Sequence, residues 1–138
     1  MRINNDKAVH EPAKDRKMQK RLMRFLPPII WAALIYYLSS VPYLKSQFDV
    51  WDHFLRKGAH IFEYGILMLL VMPNFPKNNI RFRNIAAIIC MLYAVTDEYH
   101  QSFVPGRHMS VFDVAWDSAG CLLAYVFLAV KEKKIPAE

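Results

Sequence analysis

IAAIICMLYAVTDEYHQSFVPGR, residues 85–107, decides how this 138-residue chain is read. Its first half is oily enough to lie in lipid. Asp97 and Glu98 follow without a break, then His100 and Gln101, then the breaker pair Pro105 and Gly106, and Arg107. A lipid-facing helix cannot end in so many groups that hydrocarbon rejects, so these side chains must turn toward protein or water. The expectation is a helix inside a membrane bundle, with its polar end facing inward.

Three further segments fit the same plan. A bilayer core takes roughly 20 mainly apolar helical residues to cross. LPPIIWAALIYYLSSVPYL, residues 26–44, is the first candidate, with Pro27 and Pro28 expected in the opening turn, where a missing amide donor costs little. GAHIFEYGILMLLVM, residues 58–72, is the second, and the quoted stretch belongs to a third over 80–103. SVFDVAWDSAGCLLAYVFLAV, residues 110–130, is the fourth. Pro42, then Pro73 with Asn74 and Pro76, then Pro105 with Gly106 punctuate the connectors. No internal repeat or low-complexity tract is present. The predicted architecture is all-α, a four-helix transmembrane bundle over residues 25–131. A basic cytoplasmic segment (1–24) precedes it and a short cytoplasmic tail (132–138) follows.

Composition agrees. Hydrophobic residues make up 54% of the chain and aromatic ones 14%, more apolar surface than a small water-soluble domain buries alone. The charges behind the formal +6 crowd into the first 24 residues, the 77–83 segment and the last eight positions. The oily stretches between, with no zinc-ligand spacing and no aromatic ribonucleoprotein signature, exclude a nucleic-acid module. Cys90 and Cys121 lie in apolar runs without CxxC spacing and read as small buried hydrophobes. The polar N-terminus lacks the pattern of a cleaved signal peptide. With the N-terminus cytoplasmic, 14 of the 18 Lys and Arg fall inside, and only Lys45, Arg56, Lys57 and Arg107 fall outside, so both termini are expected in the cytoplasm. KDRKMQKRLMRF, residues 14–25, reads as a topology anchor, or as a short interfacial helix drawn to anionic lipid by about 1 kcal/mol per basic residue. Trp31, Tyr36, Tyr37, Trp51 and Trp116 read as packing or interfacial residues, and His10 and His108 as surface residues.

That topology gathers the polar residues of the spans in the outer leaflet. At about 1.5 Å per residue, Glu63 lies about 9 Å deeper than Lys57, Asp97 about 9 Å deeper than Phe103, and Asp117 about 10 Å deeper than Ser110. Three carboxyl groups on three helices therefore share one depth. His60, Glu63 and Tyr64 share a helix face, as do Asp97, His100 and Gln101. Asp113, Asp117 and Gly120 share another, and the glycine admits a close neighbour. The expected product is an outward-facing acidic pocket roofed by Arg107, with His60 at its edge and Ser39 and Ser40 closing the first helix nearby. Each part also has a plainer reading. Ser110 and Asp113 form a capping-box variant. Arg107 braces Asp97 or Asp117. Glu98, about 100° round the helix from Asp97, is a wet interfacial residue.

RKGAHIFEYGIL, TDEYHQSFVPGR and FDVAWDSAG resemble, in that order, the successive motifs of the VanZ-like membrane family. The resemblance covers about residues 30–130 and falls on Lys57, His60, Glu63 and Tyr64, then Asp97, Glu98, Gln101 and Arg107, then Asp113, Asp117 and Gly120. YYLSSVP resembles the family's first helix end more weakly. The resemblance implies a small multi-pass protein of a bacterial cell membrane, in a family named for a protein linked to low-level teicoplanin resistance. Its lipid bilayer, an envelope lipid or glycopeptide ligand, and a homo-oligomer are the partners compatible with that reading; no cofactor is indicated.

The leading expectation is an envelope protein whose pocket binds a cationic or polar ligand. The second is an intramembrane hydrolase or transferase that uses carboxylates directly, or a divalent metal held by Glu63, Asp97 and Asp117. No HExxH pattern accompanies it, and no serine or cysteine has an evident base. Ion movement is disfavoured, because the polar groups stop in one leaflet and IAAIICMLYAV offers no relay below them.

Overall fold

The computed structural model describes residues 13–42, 49–77 and 79–134. His10 and Lys45, and with them Arg2 and Lys7 of the 14 basic residues counted as cytoplasmic, lie outside them. The described residues form four helices and no strand: α1 (Ala13–Ser39), α2 (Asp49–Val71), α3 (Ile80–Gln101) and α4 (Val111–Lys134), with a 3-10 turn at Met72–Asn74 after α2.

The helix ends follow local chemistry. Pro73 turns α2 into the 3-10 segment, because it cannot donate the next amide of the ladder. The Asn79 side chain accepts from the Arg81 amide at 3.0 Å and starts α3. Gly106, at φ 81°, makes the left-handed step that reverses the chain before α4.

Two starts differ from expectation. The first helix begins at Ala13, so the basic segment and the apolar span are one rod with Pro27 and Pro28 inside it. The upstream residues are mostly Ala, Lys, Arg, Met, Gln and Leu, which favour helix whether or not they suit lipid. The second helix begins at Asp49, well before Gly58, for a related reason: hydropathy finds the part of a helix that fits hydrocarbon, and this helix extends past it.

Two helical segments, Met18–Ser39 and Val111–Lys133, are long and apolar enough to cross a membrane. Only 17% and 22% of their apolar stretches is buried, unlike the core helix of a soluble protein. Their outward faces carry Ile29, Ile30, Leu122, Leu123, Val126 and Phe127. Such a continuous apolar exterior suits lipid as solvent. At 23 and 22 residues, α2 and α3 have a comparable length, but they carry charged side chains within the helix and do not meet that measure.

The core runs along the bundle axis through Ile35, Tyr64, Leu67, Met68, Ala86, Cys90, Ala94, Cys121 and Ala124. Small residues on α3 and α4 keep it thin. The most extensive helix pair is α2 with α4, and its backbones meet at one point. A Cβ added at Gly120 would overlap the Ile61 carbonyl oxygen and lie 2.9 Å from the Ile61 carbonyl carbon and Cα. Gly65 stands close by, where an added Cβ would lie 3.5 Å from the Gly120 carbonyl oxygen.

At the end where α3 starts and α4 finishes, Arg83 is buried and pairs with Glu132, and its guanidinium lies 5.4 Å from the Tyr125 ring centroid. Arg83 is thus a helix-to-helix brace as well as one of the basic residues used to orient the chain.

Gly120→Ala should destabilise the protein by about 1–3 kcal/mol or more, through backbone overlap that no rotamer relieves. Gly58→Ala, where an added Cβ meets nothing within 4 Å, should be neutral or stabilising. Thermal unfolding of both variants in the same detergent checks the contrast.

Candidate functional site

Every helix contributes to a polar cluster at the other end of the bundle. It holds Ser39 and Ser40 at the end of α1, His60, Glu63 and Tyr64 on α2, and Asp97, Glu98, His100 and Gln101 in the last turns of α3. Arg107 joins from the loop, and Asp113 and Asp117 from the start of α4. Glu98, Asp117 and Tyr64 are 0% exposed, and Asp97, His60, Ser39 and Gln101 are almost fully buried.

Three connections hold these groups. In the first, Asp97 Oδ2 accepts from Ser39 Oγ at 2.8 Å and from Gln101 Nε2 at 3.0 Å. Gln101 Oε1 accepts from Arg107 Nη1 at 3.0 Å. Arg107 also donates to the carbonyls of Leu38 and Val41, at 2.9 and 3.2 Å. Helix C-termini leave carbonyls unpaired and carry partial negative charge, so a guanidinium from another element finishes α1. Burial, and next the neighbouring Arg56, lower the Arg107 pKa, opposed by Asp97, Glu98 and Glu63. A guanidinium starts so high that it stays charged.

In the second, His60 Nδ1 lies 2.8 Å from Asp117 Oδ1 and joins α2 to α4 one turn from the glycine crossing. In the third, Glu98 Oε1 accepts the Ser110 amide at 2.6 Å, so a carboxylate from α3 caps the positive end of α4.

Four buried atoms of this cluster keep no hydrogen-bond partner among the described residues: Asp97 Oδ1, Asp117 Oδ2, Glu98 Oε2 and the Tyr64 hydroxyl. The same end of the bundle holds a cleft of about 190 Å³, lined by Ser39, Arg56, His60, Glu63, Gln101 and Arg107 with Leu38 and Ala59. Glu63 is the half-buried carboxylate of its wall, within electrostatic range of His60, Asp97, Asp117 and Arg107.

The sequence-selected residues therefore come to one end of the bundle, with several corrections. Glu98 is no wet interfacial residue; the start of α4 packs over it and supplies its hydrogen-bond donor. That amide is the one a capping box would have given to Asp113, which stands half-buried in the first turn of α4. Arg107 reaches Asp97 through Gln101 rather than bridging a carboxylate directly. The cleft is not purely acidic, since Arg56 and Arg107 stand with Glu63 in its wall and Asp97 and Asp117 are not among its lining. Glu63, Asp97 and Asp117 do not assemble as a metal-ligand set: among the described residues no three His, Cys, Asp or Glu side chains are grouped to hold an ion. Lys57 lies outside the network, with Nζ 5.2 Å from the Trp116 ring centroid, and Gly120 acts through the crossing. His100 turns from Asp97 to α1, where it stacks on Tyr36 at 4.2 Å and meets Ser40 Oγ at 3.0 Å. Two roles were missed. Ser39 is a direct carboxylate partner, for which the serine pair of YYLSSVP was the available signal. Trp31 donates to the Glu63 carbonyl at 2.8 Å and had no such signal.

Glu98→Ala should cost about 1–3 kcal/mol by stranding the Ser110 amide, whereas Glu98→Gln keeps an acceptor there and should lose less. Hydrogen exchange at Ser110, measured with thermal unfolding, distinguishes a lost cap from general loosening.

The family model described as VanZ/LLP1 matches residues 9–132, beginning within the basic segment rather than at the first apolar run. Neither a curated protein nor a solved structure matches the sequence. With nearly the whole chain covered, and with an apolar exterior around a buried polar cluster, this all-helical membrane protein belongs to the VanZ/LLP1 family.

Proposed function

We propose that the chain is a four-span protein of the bacterial cell membrane with both termini in the cytoplasm. In this reading its outward cleft binds a polar group of an envelope ligand, a glycopeptide such as teicoplanin or a lipid-linked wall intermediate, and so contributes to glycopeptide resistance. The observation that carries this is the cleft itself: Glu63 and Arg107 line a cavity of about 190 Å³, and its lining residues Ser39, Gln101 and His60 bond the buried carboxylates Asp97 and Asp117. Ionisable groups held in a bilayer cost enough that they mark function by default. Support for the topology comes from the distribution of lysine and arginine, and support for the ligand class from family membership.

The cleft suits a ligand carrying both signs of charge. An ammonium group would approach Glu63, while a carboxylate or phosphate oxygen would approach Arg107, in surroundings where charge-assisted hydrogen bonds are stronger than in water. Asp97 and Asp117 fix the helices that shape the wall.

Truncating Glu63 to Ala should weaken teicoplanin binding to the protein in nanodiscs by about tenfold or more, the loss of one charge-assisted contact. The same variant, inserted at normal abundance, should give no protection in cells. Unchanged binding and protection would refute the cleft reading. Orientation is checked separately in a background with Cys90→Ser and Cys121→Ser. A membrane-impermeant maleimide added to whole cells should label His108→Cys and leave Lys133→Cys unlabelled; the opposite pattern would invert the topology.

A further inference from the structure

We infer that the chain binds one anionic phospholipid at the end of the bundle opposite the polar cluster, with its headgroup between Arg21 and Arg24 and an acyl chain in the groove between α1, α2 and α3. Two cavities carry this inference. One, of about 230 Å³, has walls from Ile29 and Ala32 on α1, Leu67 and Val71 on α2, and Ile89 and Tyr93 on α3. The other, of about 480 Å³, lies against Arg21, Arg24, Pro73 and Pro76. They share Phe25, Asn74 and Phe75, so a basic cavity continues into an apolar one.

The polar atoms around that junction call for a ligand. Arg21 and Arg24 are three residues apart on one helix face, both exposed, and neither has an ion-pair partner among the described residues. Asn74 donates its amide nitrogen to the Leu70 and Val71 carbonyls at 3.1 and 3.2 Å, which leaves its buried Oδ1 without a partner. Two guanidinium groups suit a phosphodiester, and a headgroup hydroxyl suits the Asn74 oxygen.

Depth matches as well. Ile29 and Ala32 lie about 8 and 12 Å along α1 from Arg24, in the direction an acyl chain runs from its phosphate. Free phosphate would satisfy the arginines and leave the groove empty. A zwitterionic boundary lipid would fill the groove and offer the same phosphodiester, but its ammonium group would cancel that charge beside two arginines. One anionic lipid satisfies both, and basic residues beside a membrane surface favour it. The inference rests on membrane insertion, and not on the outward cleft.

The test is native mass spectrometry of the full chain, first shown to resist carbonate extraction from membranes. Phosphatidylglycerol, phosphatidylcholine with the same acyl chains, and inorganic phosphate are titrated in turn. The expected result is one phosphatidylglycerol retained per chain in preference to phosphatidylcholine. In the double variant Arg21→Gln with Arg24→Gln, that preference should fall about 30-fold, as two basic contacts near a membrane surface imply. Ala32→Trp should expel either lipid by filling the groove; should it fail to fold, Ile29→Asn at the exposed wall makes the same test. Equal retention of the two lipids, displacement by inorganic phosphate alone, or indifference to both groove variants would each overturn the assignment. Glu63→Ala should bind lipid as the unaltered protein does, so failure here is separable from failure of the cleft. Release by carbonate would overturn both readings.

Discussion

Gly120 rests directly on the Ile61 carbonyl, and this backbone contact between α2 and α4 sets the positions of the groups around it. A crossing this close fixes both the rotation and the axial register of the two helices, because no side chain lies between them to adjust. His60 precedes Ile61, and Asp117 lies one turn before Gly120, so the register brings them together at 2.8 Å. On the far side of the crossing, Cys121 Sγ points to the Tyr64 carbonyl at 3.7 Å. A larger residue at position 120 would separate the helices and leave the Asp117 carboxylate buried without its partner, which is far costlier than never burying it.

The bundle distributes polarity in an unusual way around this contact. Large apolar side chains cover the exterior, while the inward stripe of α3 reads Arg83, Ala86, Ala87, Cys90, Ala94, Asp97, Glu98 and Gln101. Its middle is small and apolar, and both ends are charged or polar. In lipid there is no hydrophobic gain from bringing helices together, so close packing of small residues and buried polar contacts must hold them. Arg83 with Glu132 serves one end. At the other end, Ser39, Asp97, Gln101 and Arg107 form a chain from α1 through α3 to the loop, and Arg107 secures the carbonyls at the end of α1.

The two ends offer different chemistry. One carries a cleft with both signs of charge, beside hydrogen-bonded buried carboxylates; the other carries basic residues around a cavity that opens into an apolar groove. Both depend on α1, the helix least embedded in the core, which supplies Ser39 to the first and Arg21, Arg24, Ile29 and Ala32 to the second. Tyr93 on α3 ties that helix down midway by donating to the Ala32 carbonyl at 2.6 Å.

The sequence alone was enough to read the helical class, the breakers between elements, and the gathering of His60, Glu63, Asp97, Gln101, Arg107 and Asp117 at one end of the bundle. Periodicity and the cost of charge in lipid are local properties, legible one helix at a time. Hydropathy placed the starts of α1 and α2 too late, since it reports fit to hydrocarbon and a helix continues wherever propensity allows. Pairing was beyond reach for a different reason. Whether Glu98 faces water or caps α4, whether Arg107 meets a carboxylate or the end of α1, and whether three carboxylates at one depth converge on an ion all depend on helix rotation about the Ile61–Gly120 contact. Rotation is set by packing between helices, and no single helix encodes it.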